Sequence, residues 1–281
     1  MTGGATGGAM GGGADPPILV VGYGTMAAAM VEGWLAAGML PERVTLYNPR
    51  PKPAPAGVAL CTELPEGIAG DVLLAFKPQM LAQVAPVLAS RVGSETVVLS
   101  VLAGVTLTRL AELLPAAAHV RFMPNLACAI GKSPNALVAR GLDDAGIGRV
   151  TRLATMLGSA EWLEDERLFD LVTALAGSGP AFTYRFAEAL TDAAAELGLD
   201  RGQAERLVVW MMEGAAALAA RSPTGPAELA GRVASKGGMT QAGLDVLDRD
   251  NALKILLKQT LVAARDRGRE LGGGTGGGQA A

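Results

Sequence analysis

The sequence predicts an α/β domain followed by an all-helical domain, and three observations lead to this fold class. Short aliphatic runs alternate with helical stretches up to about Leu163, which is the pattern of a parallel sheet covered by helices on both faces. Beyond Leu163 no strand-like run appears, and Ala, Leu and Glu recur at helical spacing. The length of 281 residues suits two domains of about 150 residues each, although a single large domain is also compatible with it.

The predicted strands of the first domain are short aliphatic runs of the length that a buried strand has. They cover residues 18–21, 44–47, 58–61, 71–75, 96–102, 118–121 and 136–138. Helices are predicted between them over residues 26–37, 80–90 and 107–114, and Gly38 ends the first of these. Strand and helix alternate throughout, so we expect the strands to run parallel.

The second domain is predicted to contain only helices, which cover residues 167–175, 180–197, 201–220, 227–233 and 243–271. The last of them has a break near Arg249-Asp250. We therefore place the α/β domain at residues 16–163 and the helical domain at residues 164–271. The glycine-rich segments that flank them, residues 1–15 and 272–281, are expected to be flexible coil.

Met211, Met212 and the run from Gly214 to Ala220 form an apolar stripe that is wide for a single exposed helix. Aromatic residues make up only 4% of the chain, so the small side chains favour a close approach between helices. From the residues alone, an ordinary monomer core and a dimer interface explain the stripe equally well.

Composition excludes several classes of function. The chain has 24 Lys and Arg residues against 27 Asp and Glu residues, a balance that argues against a nucleic-acid partner. With one histidine and two cysteines it has no Cys/His zinc cluster, and no metal site is expected. No apolar run reaches the ~18 residues of a membrane span, and no signal peptide is evident, so we expect a cytoplasmic protein.

The single histidine, His119, lies in a strand-like run, and we expect it to have a structural rather than a catalytic role.

A dinucleotide-binding fingerprint follows the first predicted strand directly. Gly22-x-Gly24-x-x-Ala27 stands between that strand and the helix after it, which is the context that a Rossmann-type domain requires. The backbone from Gly22 through Tyr23, Gly24, Thr25 and Met26 is expected to hold a pyrophosphate, because a helix N-terminus favours an anion. The alternative is a tight strand–helix turn with no ligand.

The end of the second strand distinguishes between the two nicotinamide cofactors. An NAD site usually places an acidic residue there to bind the ribose 2′-hydroxyl group. This sequence instead has Asn48, Arg50 and Lys52 and no acid. Arg50, with Asn48, is expected to bind a 2′-phosphate, so NADP is favoured and NAD remains possible. The alternative is that Arg50 and Lys52 are solvated charges on a loop.

Five further segments occur in an order that resembles one family. These are Ala75-Phe76-Lys77-Pro78-Gln79, Ser100-Val101-Leu102-Ala103-Gly104-Val105-Thr106, Arg121-Phe122-Met123-Pro124-Asn125, Gly177-Ser178-Gly179-Pro180-Ala181 and Val233-Ala234-Ser235-Lys236-Gly237-Gly238-Met239-Thr240. Together they resemble Δ1-pyrroline-5-carboxylate reductase over residues 18–271. The resemblance implies an NAD(P)H-dependent oxidoreductase that reduces a cyclic imine to L-proline, the last step of proline biosynthesis. It also implies that the helical domains of two subunits interleave as dimerisation domains, with a homodimer or a decamer built from dimers as the assembly.

The resemblance assigns site residues as well. Lys77, Pro78, Ala103 and Gly104 are expected to line the cofactor cleft, with Pro124 and Asn125 beside the nicotinamide. The substrate is expected to contact Val233, Ser235, Gly237, Gly238, Met239 and Thr240. Backbone N–H groups of Gly238, Met239 and Thr240 would bind its carboxylate, and the hydroxyl group of Thr240 would serve the ring nitrogen as the catalytic group.

Three residues depart from the family pattern and leave alternatives open. Lys236 replaces a proline, Met239 replaces a small residue, and Leu126 stands where a threonine is common. A reductase of the same fold that acts on another cyclic imine is therefore an alternative, as is a nucleotide-binding regulator without turnover. A β-hydroxy-acid dehydrogenase is disfavoured, because residues 177–197 contain no lysine.

Overall fold

A computed structural model describes residues 15–273, which divide into two compact units. The first unit extends to Asp170 and includes the end of the last helix from Gly268, and the second is Leu171–Arg267. The glycine-rich ends lie outside the described residues, except for Asp15 and for Gly272 and Gly273, which belong to the last helix. The domain boundary that the sequence predicts after residue 163 stays a prediction.

One sheet of eight strands forms the centre of the first unit. The strands are β1 (Ile18–Val21), β2 (Val44–Tyr47), β3 (Ala59–Cys61), β4 (Asp71–Leu74), β5 (Val97–Ser100), β6 (Ala118–Met123), β7 (Ser133–Arg140) and β8 (Gly158–Trp162). They lie in the order β3-β2-β1-β4-β5-β6-β7-β8. The first six have the strand order of a doubly wound dinucleotide-binding domain.

The expectation of an entirely parallel sheet is wrong at one position. Every described strand pair is parallel except β6–β7, which is antiparallel. The connection between these two strands contains only a 3₁₀-helix, Leu126–Ile130. A parallel return needs a crossover of a dozen or more residues, so this short connection reverses the chain direction.

Four helices cover the sheet, namely α1 (Thr25–Ala36), α2 (Leu81–Ala89), α3 (Leu107–Leu113) and α4 (Asp144–Thr155). Two apolar clusters, one on each face, result from this covering. Within β1, Ile18 and Val20 belong to one cluster, whereas Leu19 and Val21 belong to the other. A strand buried on both faces reads as a continuous aliphatic run, which is why the sequence shows β1 so clearly.

The sequence pattern missed α4 and β8. Helix α4 contains Gly146 and Gly148, and its N-terminus is fixed by Asp143, whose Oδ1 accepts a 2.8 Å hydrogen bond from the Gly146 N–H. Among the described strands β8 pairs with β7 alone, at the edge of the sheet, and no residue of β8 is fully buried. Its sequence, Gly-Ser-Ala-Glu-Trp, therefore lacks the aliphatic run that marks a central strand.

The second unit is helical, as the sequence predicts. It begins within a short helix, α5 (Phe169–Val172), and a π-helical turn, Thr173–Gly177, then leads into α6 (Gly179–Glu196), α7 (Arg201–Arg221), α8 (Pro226–Val233), α9 (Met239–Asp248) and α10 (Ala252–Gly273), of which α10 extends beyond the unit from Gly268. The predicted break near Arg249-Asp250 is confirmed, because Asp250 and Asn251 have left-handed backbone angles between α9 and α10. No described helix combines the length and the apolar composition that a membrane span requires.

The helical unit has almost no core of its own. Of its described residues only Ala174, Thr191 and Ala204 are buried. Large apolar side chains are exposed along several helices, including Tyr184 of α6, and Trp210 of α7 at 73% exposure. Such faces are typical of helices that pack against another chain.

His119 is a buried residue of β6, in agreement with the structural role that the sequence predicts. Its Nε2 lies 2.9 Å from the carbonyl oxygen of Leu114 and donates to it, since a carbonyl oxygen only accepts. Burial lowers the pKa of His119 below its ordinary value of 6.5.

This lowered pKa predicts a pH dependence of stability. The unfolded chain binds the proton first, so the contribution of His119 is complete above about pH 6.5 and is lost as the pH falls through the lower folded pKa. His119→Gln retains an N–H donor but does not titrate. Urea unfolding at about pH 7.5 and about pH 5.5 should show a smaller drop in the free energy of unfolding for the variant. Equal drops in both proteins would contradict this assignment.

Candidate nucleotide and substrate sites

A cleft of about 650 Å³ opens at the carboxyl edge of the sheet, where β1, β2 and β4 end. The residues that line it are the last residues of β1 and β2, the segments that follow β1, β2 and β4, and one residue of the helix after β4. They are Val21, Gly22, Tyr23, Gly24, Thr25, Met26, Tyr47, Asn48, Pro49, Arg50, Lys52, Ala75, Phe76, Lys77, Pro78, Met80 and Val84. Because β1 pairs in parallel with both β2 and β4, these strand ends meet at one edge.

The turn after β1 depends on two glycines in different ways. Gly22 has φ +93°, and a Cβ atom there would lie 2.8 Å from the carbonyl oxygen of Ala75. Glycine is therefore required for the turn. A Cβ atom at Gly24 would meet no protein atom within 4 Å, so the backbone is open at this point of the cleft.

The N-terminus of α1 faces this turn with no capping side chain. Gly24 is the N-cap residue, no side chain accepts from the first turn, and no acidic residue stands there. The first N–H groups of a helix have no intrahelical partner, and the helix dipole adds positive potential. The arrangement of an open backbone and free N–H donors fits the pyrophosphate of a dinucleotide.

Asn48 connects the loop after β2 to the glycine turn. Its Oδ1 accepts a 3.3 Å hydrogen bond from the Tyr23 N–H, and its Nδ2 donates to the carbonyl oxygen of Arg50 at 2.6 Å. Lys52 reaches back from the same loop, and its Nζ donates to the Tyr23 carbonyl oxygen at 2.7 Å. Among the described residues that line the cleft none is Asp or Glu, and the end of β2 contributes Asn48, Arg50 and Lys52 instead.

Lys77 and Pro78 line the cleft from the third side, where Pro78 begins a 3₁₀-helix that ends at Met80. The sequence did not identify the apolar contributors to this wall, which include Phe76, Met80 and Val84. Phe76 could have been found from its place two residues after β4. Val84 could not, because its exposure to the cleft depends on how α2 packs.

Four predicted cofactor residues do not line the cleft. Ala103 and Gly104 follow β5, and Pro124 and Asn125 follow β6, so all four lie after strands that end at the same carboxyl edge. Asn125 is buried, its N–H donates to Ser133 Oγ at 2.9 Å, and its Oδ1 accepts from the Ala127 N–H at 2.9 Å. This asparagine therefore caps the 3₁₀-helix locally, and its position beside a nicotinamide stays a prediction.

The predicted substrate residues lie together in the second unit. Val233 ends α8, Ser235 and Gly237 belong to the turn that follows, and Gly238 is the N-cap residue of α9. A Cβ atom at Gly238 would lie 2.4 Å from Ser235 Oγ, so a larger residue there would require the Ser235 side chain to move. Met239 and Thr240 are the first two residues of α9. Their side chains are exposed, and that of Met239 is 93% exposed.

One predicted donor in this turn is already engaged. The Gly238 N–H donates to the carbonyl oxygen of Ser235 at 2.9 Å, and its expected contact with a substrate carboxylate stays a prediction. The N–H groups of Met239 and Thr240 lie in the first turn of α9, where no side chain caps them. These two donors, together with the Thr240 hydroxyl group, are what the turn offers to an anionic ligand.

Neither cysteine has the properties of a reactive thiol. Cys128 is buried, and burial raises its pKa to about 11. Burial also raises the pKa of Cys61. Among residues 15–273 no group of three or more His, Cys, Asp or Glu side chains is arranged to hold a metal ion.

Comparisons with known proteins match both parts of the chain. Residues 166–271 match the family model described as "Pyrroline-5-carboxylate reductase dimerisation", and residues 17–104 match the one described as "NADP oxidoreductase coenzyme F420-dependent". Pyrroline-5-carboxylate reductase 3 of Danio rerio is 34% identical over 262 residues, which cover 90% of each chain. Pyrroline-5-carboxylate reductase of Pseudomonas aeruginosa is 34% identical, over 91% of this chain and 97% of that protein. The solved pyrroline-5-carboxylate reductase of Coxiella burnetii has a TM-score of 0.83 at 29% identity, over 92% of this chain and 99% of that one.

The open backbone at Gly24 predicts how a methyl group there would act. Gly24→Ala places its Cβ in free space, so stability should change little, but the methyl group should occupy part of the pyrophosphate position. We expect at least about tenfold weaker dinucleotide binding, measured by fluorescence titration. Gly67→Ala adds the same methyl group in open space outside the cleft and is the matched control. Unchanged binding in Gly24→Ala would show that the pyrophosphate lies elsewhere.

Proposed function

Because the chain belongs to the pyrroline-5-carboxylate reductase family, we propose that it reduces 1-pyrroline-5-carboxylate to L-proline with NADPH as the preferred cofactor. The observation that carries the proposal is the cleft at the carboxyl edge of β1, β2 and β4. It combines an uncapped helix N-terminus for the pyrophosphate with cationic side chains for a 2′-phosphate.

Arg50 is the residue that we assign to the 2′-phosphate. It is exposed on the lining of the cleft, two residues after Asn48, which is tied to both Tyr23 and the Arg50 carbonyl group. A planar guanidinium group can bind two phosphate oxygens at once. NADH lacks this phosphate and is expected to bind more weakly, as a secondary cofactor.

The reaction needs little acid–base help from side chains. Bound NADPH would supply the hydride for the C=N carbon. A protonated imine is already an electrophile, so the main task of the protein is to align the ring. His119 is buried against Leu114 and is not required for this task.

The turn before α9 is the proposed substrate site. The N–H groups of Met239 and Thr240 bind the substrate carboxylate, and the Thr240 hydroxyl group hydrogen-bonds with the ring nitrogen. Val233, which is exposed at the end of α8, contacts the ring. Ser235 and Gly237 shape the turn, in which Gly237 has φ +73°.

A homodimer through the helical unit is part of the proposal. The support is the dimerisation model matched over residues 166–271, together with the exposed apolar faces of α6 and α7. A decamer built from such dimers is the larger assembly that we propose. We also propose a cytoplasmic location, since Cys61 and Cys128 are both free thiols, as is usual in a reducing compartment.

Two residues favour a test of a second substrate. Met239 is almost fully exposed at the start of α9, and Lys236 adds a cation to the same turn. A cyclic imine with a six-membered ring is therefore the second candidate. The assay follows NADPH oxidation with each of the two imines, and proline is identified as the product of 1-pyrroline-5-carboxylate. Tight NADPH binding without turnover of either imine would instead support a nucleotide-binding regulator.

Thr240→Val should separate catalysis from cofactor binding. Valine has the shape of threonine but no hydroxyl group, so kcat should fall about 100-fold while the dissociation constant for NADPH changes less than about twofold. Thr240→Ser restores a hydroxyl group and should recover most of the rate. Loss of NADPH affinity without loss of kcat would refute this placement.

Arg50→Ala should lower the preference for NADPH. Without the guanidinium group, the NADPH/NADH ratio of kcat/KM should fall about tenfold, with most of the loss in NADPH. Steady-state kinetics with both cofactors measure this ratio. An unchanged ratio would show that Arg50 is only a solvated charge.

A further inference from the structure

A second cation stands on the same loop as Arg50, and its ammonium group is held in place by the glycine turn. Lys52 Nζ donates to the carbonyl oxygen of Tyr23 at 2.7 Å, and both residues line the cleft. Tyr23 lies between Gly22 and Gly24, in the backbone that we assign to the pyrophosphate. Although the Lys52 side chain is largely exposed, this contact holds its positive charge beside the backbone that we assign to the pyrophosphate.

The loop that presents Lys52 has little conformational freedom. Prolines occupy every second position from Pro49 to Pro55, and each fixes its own φ angle. Asn48 attaches the start of the loop to the turn, because it accepts from the Tyr23 N–H and donates to the Arg50 carbonyl oxygen. Tyr23 is thus bound through its N–H to Asn48 and through its carbonyl oxygen to Lys52.

Within residues 15–273, no acidic side chain lines the cleft beside the ammonium group of Lys52. No Asp or Glu residue is among the lining residues, and its partner at Tyr23 is a neutral carbonyl oxygen. An ammonium group has three N–H donors. One of them is used by Tyr23, so two remain for an anion while the side chain keeps its position.

We propose that Lys52 is a second residue that selects the phosphorylated cofactor, with the Tyr23 carbonyl group as its anchor. The inference rests on the proposed function and goes beyond it by one residue. Arg50 and Lys52 stand two positions apart on a stiff loop, and together they place two cations at the 2′-phosphate. Arginine binds phosphate as a planar fork and lysine as a point charge, so the two contributions differ in kind.

Lys52→Met tests this assignment in the full-length protein, since methionine keeps much of the length and removes the charge. We expect the dissociation constant for NADPH to rise about tenfold and that for NADH to change less than about twofold. Lys132→Met is the matched control, because it removes the same charge from an exposed residue of the same unit that does not line the cleft. It should leave both constants unchanged.

Cofactor fragments make the test independent of turnover. Adenosine 2′,5′-bisphosphate carries the 2′-phosphate and adenosine 5′-monophosphate does not, and calorimetry gives the affinity of each. The ratio of their affinities should fall about tenfold in Lys52→Met. Added salt should lower this ratio more in the parent protein than in the variant, because the variant has lost one of the two charges.

An equal loss of affinity for both cofactors would overturn the proposal, since it would mean that Lys52 only stabilises the Tyr23 turn. Unchanged affinities would overturn it as well. Failure of the proposed function looks different. In that case pyrroline-5-carboxylate would give no turnover, while the 2′-phosphate preference and its dependence on Lys52 would persist.

Discussion

Strand β1 is buried on both faces, and the nucleotide-binding unit is organised around this burial. Its side chains alternate between two apolar clusters, so both faces of the strand need apolar residues. A shift of register by one residue would exchange the side chains of the two faces without burying more apolar surface. Parallel pairing with β2 and β4 then brings three strand ends to one edge. Gly22 follows at once, and its positive φ angle turns the chain into α1. The cleft is therefore a consequence of how the sheet is built. The side chains proposed to bind the cofactor only line a cleft that the sheet already forms.

The two units achieve order by different means. The first unit has a sheet whose two faces are covered by its own helices. In the second unit, only three of the described residues are buried. Short side chains such as alanine let helices approach closely but provide little apolar area per residue. The proposed substrate turn lies in this second unit, at a helix start whose side chains are exposed.

Much of the fold follows from local sequence, and the misses have physical causes. The runs that form β1 and β2 were predicted with their observed bounds, because burial on both faces leaves a continuous aliphatic signal. The direction of β7 was not predictable from its own residues, since it depends on the short connection that precedes it. β8 was missed because an edge strand carries polar and small residues. Local motifs located the cleft residues near Gly22 and Asn48, whereas Val84 reaches the cleft only through tertiary packing. Similarly, the engagement of the Gly238 N–H by Ser235 is a property of the turn geometry, which the residue types do not specify.

The scarcity of buried side chains in the helical unit has a thermodynamic consequence. A fold that buries its apolar faces only on association gains its stability from a bimolecular step, so its free energy of unfolding depends on protein concentration. In the proposed dimer, dilution would weaken the helical unit, while the sheet with its own two cores would be affected less. A single unfolding temperature would then describe this protein only at a stated subunit concentration.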